Sequence, residues 1–213
     1  MAGTVERERN GDGKMAVFIA LLRGINVGGK NKIKMTHLQR MFESIGLTRV
    51  ETYIQSGNVI FESNENEDTL RKKIENGIET NFGFSTFVIL RSAAELERLI
   101  QACPFSEEEV AEAELSNSEG ESLYVSMLIK APSQENRDLL NTYKSENDEY
   151  RIENRDIYLL LRHSIRNSKL ANHLQKLDVP QTVRNWKTIN KLHALSKSRI
   201  NNCSPPARAA QKL

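Results

Sequence analysis

The sequence predicts an α+β protein in which one β-α-β-β-α-β module is written twice, each copy followed by an extra helix. Three observations predict it. Two continuous apolar runs, Met15–Leu22 and Leu123–Ile129, read as central strands. Each is followed in the same order by an amphipathic helix, a hairpin, a second helix and a further strand. The halves also align at a fixed spacing: Glu51-Thr52-Tyr53-Ile54 lies over Glu149-Tyr150-Arg151-Ile152, and Val59 over Ile157, all at an offset of 98.

In the first half, Thr36 is placed to cap a helix whose Leu38, Met41, Phe42 and Ile45 share one face, and Gly46 ends it. Glu51–Ile54 and Asn58–Phe61 are β-prone and joined by Gln55-Ser56-Gly57-Asn58, a hairpin signal. Leu70, Ile74, Ile78 and Phe82 line a second helix, and Ser85–Leu90 reads as a strand. Leu96, Leu99, Ile100 and Cys103 mark the extra helix, stopped by Pro104.

The second half repeats the order. Pro132-Ser133 opens a helix with Leu139, Leu140 and Tyr143 inward, and Glu149–Ile152 pairs with Asp156–Leu161 as a hairpin. Leu170, Leu174 and Leu177 mark the next helix, Thr182–Lys187 is a strand, and the last helix begins at Ile189. The same offset sets helix 36–46 over 134–144 and strand 85–90 over 183–188. The expected organisation is a first module over 15–106, an acidic linker over 107–121 and a second module over 122–203. A disordered N-terminal extension (1–14) and a loose basic tail (204–213) flank them.

Composition narrows the class. With 213 residues, 38% hydrophobic and 27% charged, the chain can fill a core, and wholesale disorder is excluded. Its longest apolar run is too short to span a bilayer, and no membrane partner is expected. Two cysteines cannot build a disulfide framework, which points to the cytoplasm. The net charge of +2 hides an uneven distribution. Residues 1–34 carry seven Lys/Arg and three Asp/Glu (+4), residues 35–129 seven and seventeen (−10), and residues 130–213 sixteen and eight (+8). Such asymmetry suits an anionic partner, or attraction between oppositely charged parts of two copies in a homo-oligomer.

The repeat breaks at one place. Aligning the first strands needs an offset of 107, so the first half holds nine extra residues within Arg23-Gly24-Ile25-Asn26-Val27-Gly28-Gly29-Lys30-Asn31-Lys32-Ile33-Lys34. Most strand–helix loops have about 2–6 residues, and much longer ones are often functional. Gly24, Gly28 and Gly29 with four cations make this a candidate anion-binding loop. Gly24-x-x-x-x-Gly29-Lys30 nearly matches a P-loop, but Asn31 replaces the hydroxyl that would hold Mg²⁺ and the helical pattern starts too late. The alternative is a plain Gly28-Gly29 turn with solvated lysines.

Strand direction brings further groups to the same end. Arg23, Asn26, Lys30, Gln55, Ser56 and Asn58 would supply donors, and Gly57 the turn between them. The alternative for Ser56-Gly57 is turn chemistry alone. In Arg184-Asn185-Trp186-Lys187, strand alternation puts Arg184 and Trp186 on one face, a pair suited to phosphate and to a stacked base. A core anchor is the other reading of this single tryptophan. His37, His163, His173 and His193 have no metal-ligand spacing, so no metal is expected, and no catalytic or dinucleotide fingerprint implies a cofactor.

Three segments carry a family resemblance: Met15–Gly29 with its Leu-Arg-Gly-Ile-Asn-Val-Gly-Gly ending, Thr52-Tyr53-Ile54-Gln55-Ser56-Gly57-Asn58-Val59, and Arg184-Asn185-Trp186-Lys187-Thr188. Together they resemble the bacterial domain-of-unknown-function family 1697, over about Met15 to Leu195. The resemblance implies a small cytosolic bacterial protein of two ferredoxin-like modules, and it implies no activity. The leading expectation is a binding module for a phosphate-bearing ligand, with nucleic acid as one version. The alternatives are a small enzyme acting on a phosphorylated metabolite, for which no general base is evident, and a self-associating interaction module.

Overall fold

Both faces of the first strand are apolar because each packs on a different core. The computed structural model describes residues 15–118 and 120–202. Strand β1 (Ala16–Leu22) points Phe18, Ala20 and Leu22 into one cluster and Val17, Ile19 and Leu21 into another. It therefore reads as an unbroken apolar run rather than an alternating one.

The elements follow as helix α1 (Met35–Ser44), hairpin β2 (Thr48–Tyr53) and β3 (Asn58–Ser63), α2 (Glu67–Phe82), β4 (Val88–Ser92) and α3 (Ala93–Gln101). Helix α4 (Glu107–Ser116) comes next, then β5 (Leu123–Leu128), α5 (Gln134–Asn141), β6 (Asp148–Glu153), β7 (Asp156–Leu161), α6 (Lys169–Leu174), β8 (Gln181–Asn185) and α7 (Trp186–Asn202). The strands form two four-stranded antiparallel sheets, ordered β2-β3-β1-β4 and β6-β7-β5-β8. The α+β class and the doubled element order are as the sequence predicts.

Three cores stack through the molecule. Helices α1 and α2 cover the outer face of the first sheet with Leu38, Phe42, Leu70, Ile74 and Ile78. Helices α5 and α6 cover the outer face of the second with Leu140, Leu170 and Leu174. The inner faces share one cluster, in which Ile19, Leu21, Val125, Met127 and Tyr158 meet Leu96, Leu99, Ala113, Ile189 and Leu192 of α3, α4 and α7. Each fully buried leucine there stabilises by about 1.5–3 kcal/mol. The same region carries buried charge. Arg91 pairs with Asp156 at 2.7 Å, and Arg155 reaches Glu67 at 2.8 Å and Glu95 at 2.6 Å.

Several local expectations change. Residues 107–116 of the expected linker form a helix, because Ser106 and Glu109 close a capping box and Ala113 is buried. Lys34, not Thr36, occupies the N-cap position of α1, with no side-chain bond to the helix. Strand β4 starts three residues later than expected. Since Ile89 and Thr182 pair with Leu21 and Met127, which are themselves equivalent, the offset at the last strand is 93 rather than 98. The cause is the stretch between the last two strands, 24 residues (64–87) in the first half and 19 (162–180) in the second: the helix shrinks from sixteen residues in α2 to six in α6, and longer loops make up part of the loss. The inserted stretch is also shorter: twelve residues (23–34) separate β1 from α1 and five (129–133) separate β5 from α5, a difference of seven rather than nine. The expected disordered extension 1–14 and loose tail 204–213 lie outside the described residues.

Candidate functional site

The loop over residues 23–34 is a folded crook held by one asparagine. Asn26 sits in left-handed backbone (φ 55°). Its Nδ2 donates to the carbonyls of Ile33 (3.0 Å) and Gln55 (2.9 Å), and its Oδ1 accepts from the Ile33 amide at 2.8 Å. At the tip, Val27 and Lys30 bridge across Gly28 and Gly29, whose φ values of 58° and 77° are those of a primed two-residue turn. Asn31 Nδ2 donates to the Gly24 carbonyl at 3.3 Å, and the Arg23 amide donates to Phe87 O at 3.1 Å. The amides of Asn26, Lys30 and Ile33 are thus spent inside the crook, while Gly28, Gly29 and Lys30 face solvent.

Arg184 has a different task from the one expected. All five of its N–H groups are engaged. Nε donates to Asn58 Oδ1 (2.7 Å), Nη1 to Thr182 Oγ1 and Val183 O (both 2.8 Å), and Nη2 to Leu22 O (3.0 Å) and Ser56 O (2.8 Å). No carboxylate is among these partners, and burial pulls the guanidinium down to about 10. Arg184 therefore has no donor left for a phosphate. It clamps the second module onto the end of β1 and the β2–β3 turn of the first.

Its neighbours are likewise structural. Asn58 Nδ2 donates to Tyr53 O and to Ser56 Oγ, so both side chains are occupied. At Gly57 (φ 76°) a Cβ would lie 2.7 Å from Ile25 Cδ1 and 2.9 Å from Leu22 Cβ, so those side chains would have to shift to admit one. Asn185 caps α7 by accepting from the Thr188 amide at 2.9 Å. Trp186 is the first residue of that helix rather than part of the strand, and its ring lies 6.4 Å from that of Tyr158, against the shared core. The expected stacking pair is absent, because the inner sheet faces that would carry it bury each other. Lys187 is exposed.

What remains open is a groove of about 610 Å³ beside the crook. It is lined by Asn26, Gly29, Lys32, Ile33, Lys34, Met35, His37, Gln55 and Phe82, with no carboxylate among them. Lys34, Met35 and His37 belong to the start of α1, which alone among the described helices has no side-chain cap. The positive end of its dipole thus borders the groove, although the His37 amide is spent on Lys34 O at 2.9 Å. Of the predicted residues, Asn26, Gly29 and Gln55 line it. Lys32, Ile33 and Lys34 lie within the predicted anion-binding loop, and Met35, His37 and Phe82 are the lining residues sequence reasoning missed. A second hollow of about 520 Å³, lined by Tyr124, Ser164, Ile165, Arg166 and Asn167, lies in the other half and carries one cation. No group of three or more His, Cys, Asp or Glu suited to a metal occurs among the described residues.

Two α+β units sharing one core, with a cation-lined groove at one end, define a duplicated α+β protein. The chain belongs to the DUF1697 family of proteins of unknown function, whose model matches residues 15–158. A solved structure of a conserved bacterial protein, SP0830 from Streptococcus pneumoniae, is similar at 25% identity and a TM-score of 0.64, covering 86% of this chain and 99% of that one. No curated protein matches the sequence. The three segments that carry the family resemblance meet at Arg184, which bonds Leu22, Ser56 and Asn58.

Proposed function

We propose that this protein is a binding module for a phosphate-bearing small molecule, held in the groove between the crook and the start of α1. The observation that carries the reading is the grouping of Lys32, Lys34 and His37 at the uncapped helix start, with no carboxylate in the lining. Anions are favoured where cations converge at the positive end of a helix dipole. Ile33, Met35 and Phe82 supply apolar surface for the rest of the ligand. The proposal includes two ferredoxin-like modules, over 15–106 and 122–203, for which the strand orders β2-β3-β1-β4 and β6-β7-β5-β8 speak. It also includes a cytoplasmic setting, which suits the free thiol of Cys103. No helix of the described residues is long and apolar enough to cross a membrane.

Thermal unfolding in the presence of inorganic phosphate and a panel of phosphorylated metabolites tests the reading. A specific ligand raises Tm by mass action, and the rise shrinks at high salt. The double variant K32A/K34A abolishes it. A panel without any shift, or a shift that survives K32A/K34A, overturns the assignment.

A further inference from the structure

Three large apolar side chains stand exposed at the same end of the first module: Val27 at 65%, Ile54 at 49% and Phe87 at 49%. They sit on three separate segments, the crook (23–34), the β2–β3 turn (54–57) and the approach to β4 (83–87). Direct bonds tie these segments together: Arg23 N to Phe87 O, Thr86 Oγ1 to Arg23 O at 2.6 Å, and Asn26 Nδ2 to Gln55 O. The segments carry four cations, Arg23, Lys30, Lys32 and Lys34, and no acidic residue. A carboxylate of α2 touches them, Glu79 accepting from Ser85 Oγ, and Glu75 of the same helix accepts from the Val88 amide at the start of β4.

Ile54 adds an independent sign. It is a β-branched residue in left-handed backbone (φ 48°), which side chains of that shape rarely adopt. Asparagine or glycine would sit there without strain. The fold thus accepts both strain and apolar exposure at one position, a combination found where a surface has work to do.

We propose that this end of the molecule is a peripheral docking surface for an anionic lipid bilayer. The apolar tips enter the interface while the cations meet lipid phosphates. Charge complementarity selects a negative partner. Apolar tips on three separate segments, rather than one shaped apolar groove, favour a bilayer, which needs no matching shape. Stable peripheral binding takes two signals, apolar insertion and a basic cluster, and both are present here. The surface involves tips outside the groove, so it goes beyond the small-molecule reading.

The test is co-sedimentation of the full chain with sucrose-loaded vesicles of phosphatidylcholine alone and of phosphatidylcholine mixed with phosphatidylglycerol. The expected result is binding to the mixed vesicles only, weakened by salt. V27S/F87S lowers the bound fraction about tenfold without lowering Tm. I54N also weakens binding but raises Tm, opposite movements that a merely structural role would not produce. Equal binding to both vesicle types, no binding to either, or V27S/F87S binding as the unaltered protein does overturns the proposal. So does sedimentation without vesicles, which would indicate docking of a second copy through acidic α4, whose Leu115 is 89% exposed. A phosphate-induced Tm shift without vesicle binding sinks the docking surface and leaves the groove reading standing.

Discussion

Arg184 donates from Nε to Asn58 Oδ1 at 2.7 Å, joining residues 126 positions apart across the boundary between the two modules. This bond sits at the centre of a cluster in which one guanidinium satisfies Asn58, Ser56 and Leu22 at once. The crook and its groove rest on that cluster, since Asn26 is tied to the same β2–β3 turn through Gln55 O.

Arg184→Met is expected to destabilise the fold by about 3 kcal/mol, because it orphans three acceptors at a closed interface. Arg184→Lys is expected to fare little better, since an ammonium cannot reproduce the planar fork. Urea unfolding of both variants measures this, and a cost below about 1 kcal/mol for Arg184→Met would show that the clamp is dispensable.

Gly57→Ala and Gly28→Ala separate crowding from backbone conformation. At Gly57 a Cβ would meet Ile25 Cδ1 at 2.7 Å and Leu22 Cβ at 2.9 Å, while at Gly28 nothing lies within 4 Å. Both glycines have positive φ, so each substitution costs about 1 kcal/mol from conformation alone. Gly57→Ala should cost about 2 kcal/mol more from overpacking. Similar denaturation midpoints for the two variants would contradict this.

Glu95 makes stability fall in acid. Burial opposes its charge, but the Ser92 amide, Arg155 and Arg91 outweigh burial and hold the carboxyl below its ordinary 4.5. A depressed carboxyl favours the folded state above the unfolded value and loses that effect as pH falls through the folded one. The contribution is therefore present above pH 4.5 and is lost progressively as pH falls from there through the lower folded value. Glu95→Gln should flatten the acid limb of a Tm-against-pH profile, and an unchanged limb would refute the assignment.

The single tryptophan reports on the joint between the modules. Trp186 packs against the shared core beside Tyr158, whose hydroxyl donates to Leu99 O at 2.5 Å. The two modules should unfold together, so Trp fluorescence and far-UV circular dichroism should give coincident urea transitions. Two resolved transitions would mean that the halves are independently stable.

The crook was visible in the sequence as an interruption of the repeat, and Gly28-Gly29 as a turn, because chain length and positive φ are local properties. The groove was only half visible. The sequence marks Asn26 and Gln55, but as donors to a ligand, whereas Asn26 spends its amide holding the crook closed. His37 and Phe82 carried no mark, since nothing in their own neighbourhood says that the end of α2 lies beside the start of α1.

The sequence by itself determined the periodic elements, the central position of β1 and the doubled order, because alternation and helical spacing record which faces of each segment avoid water. Only the tertiary structure decided that Arg184 is a clamp, that Trp186 is a core residue and that the inner sheet faces are closed to a ligand. Those outcomes depend on how two modules dock. Pairs such as Arg184–Asn58 are chosen by the shape and hydrogen-bond capacity of surfaces far apart in the chain, and no local pattern encodes that match.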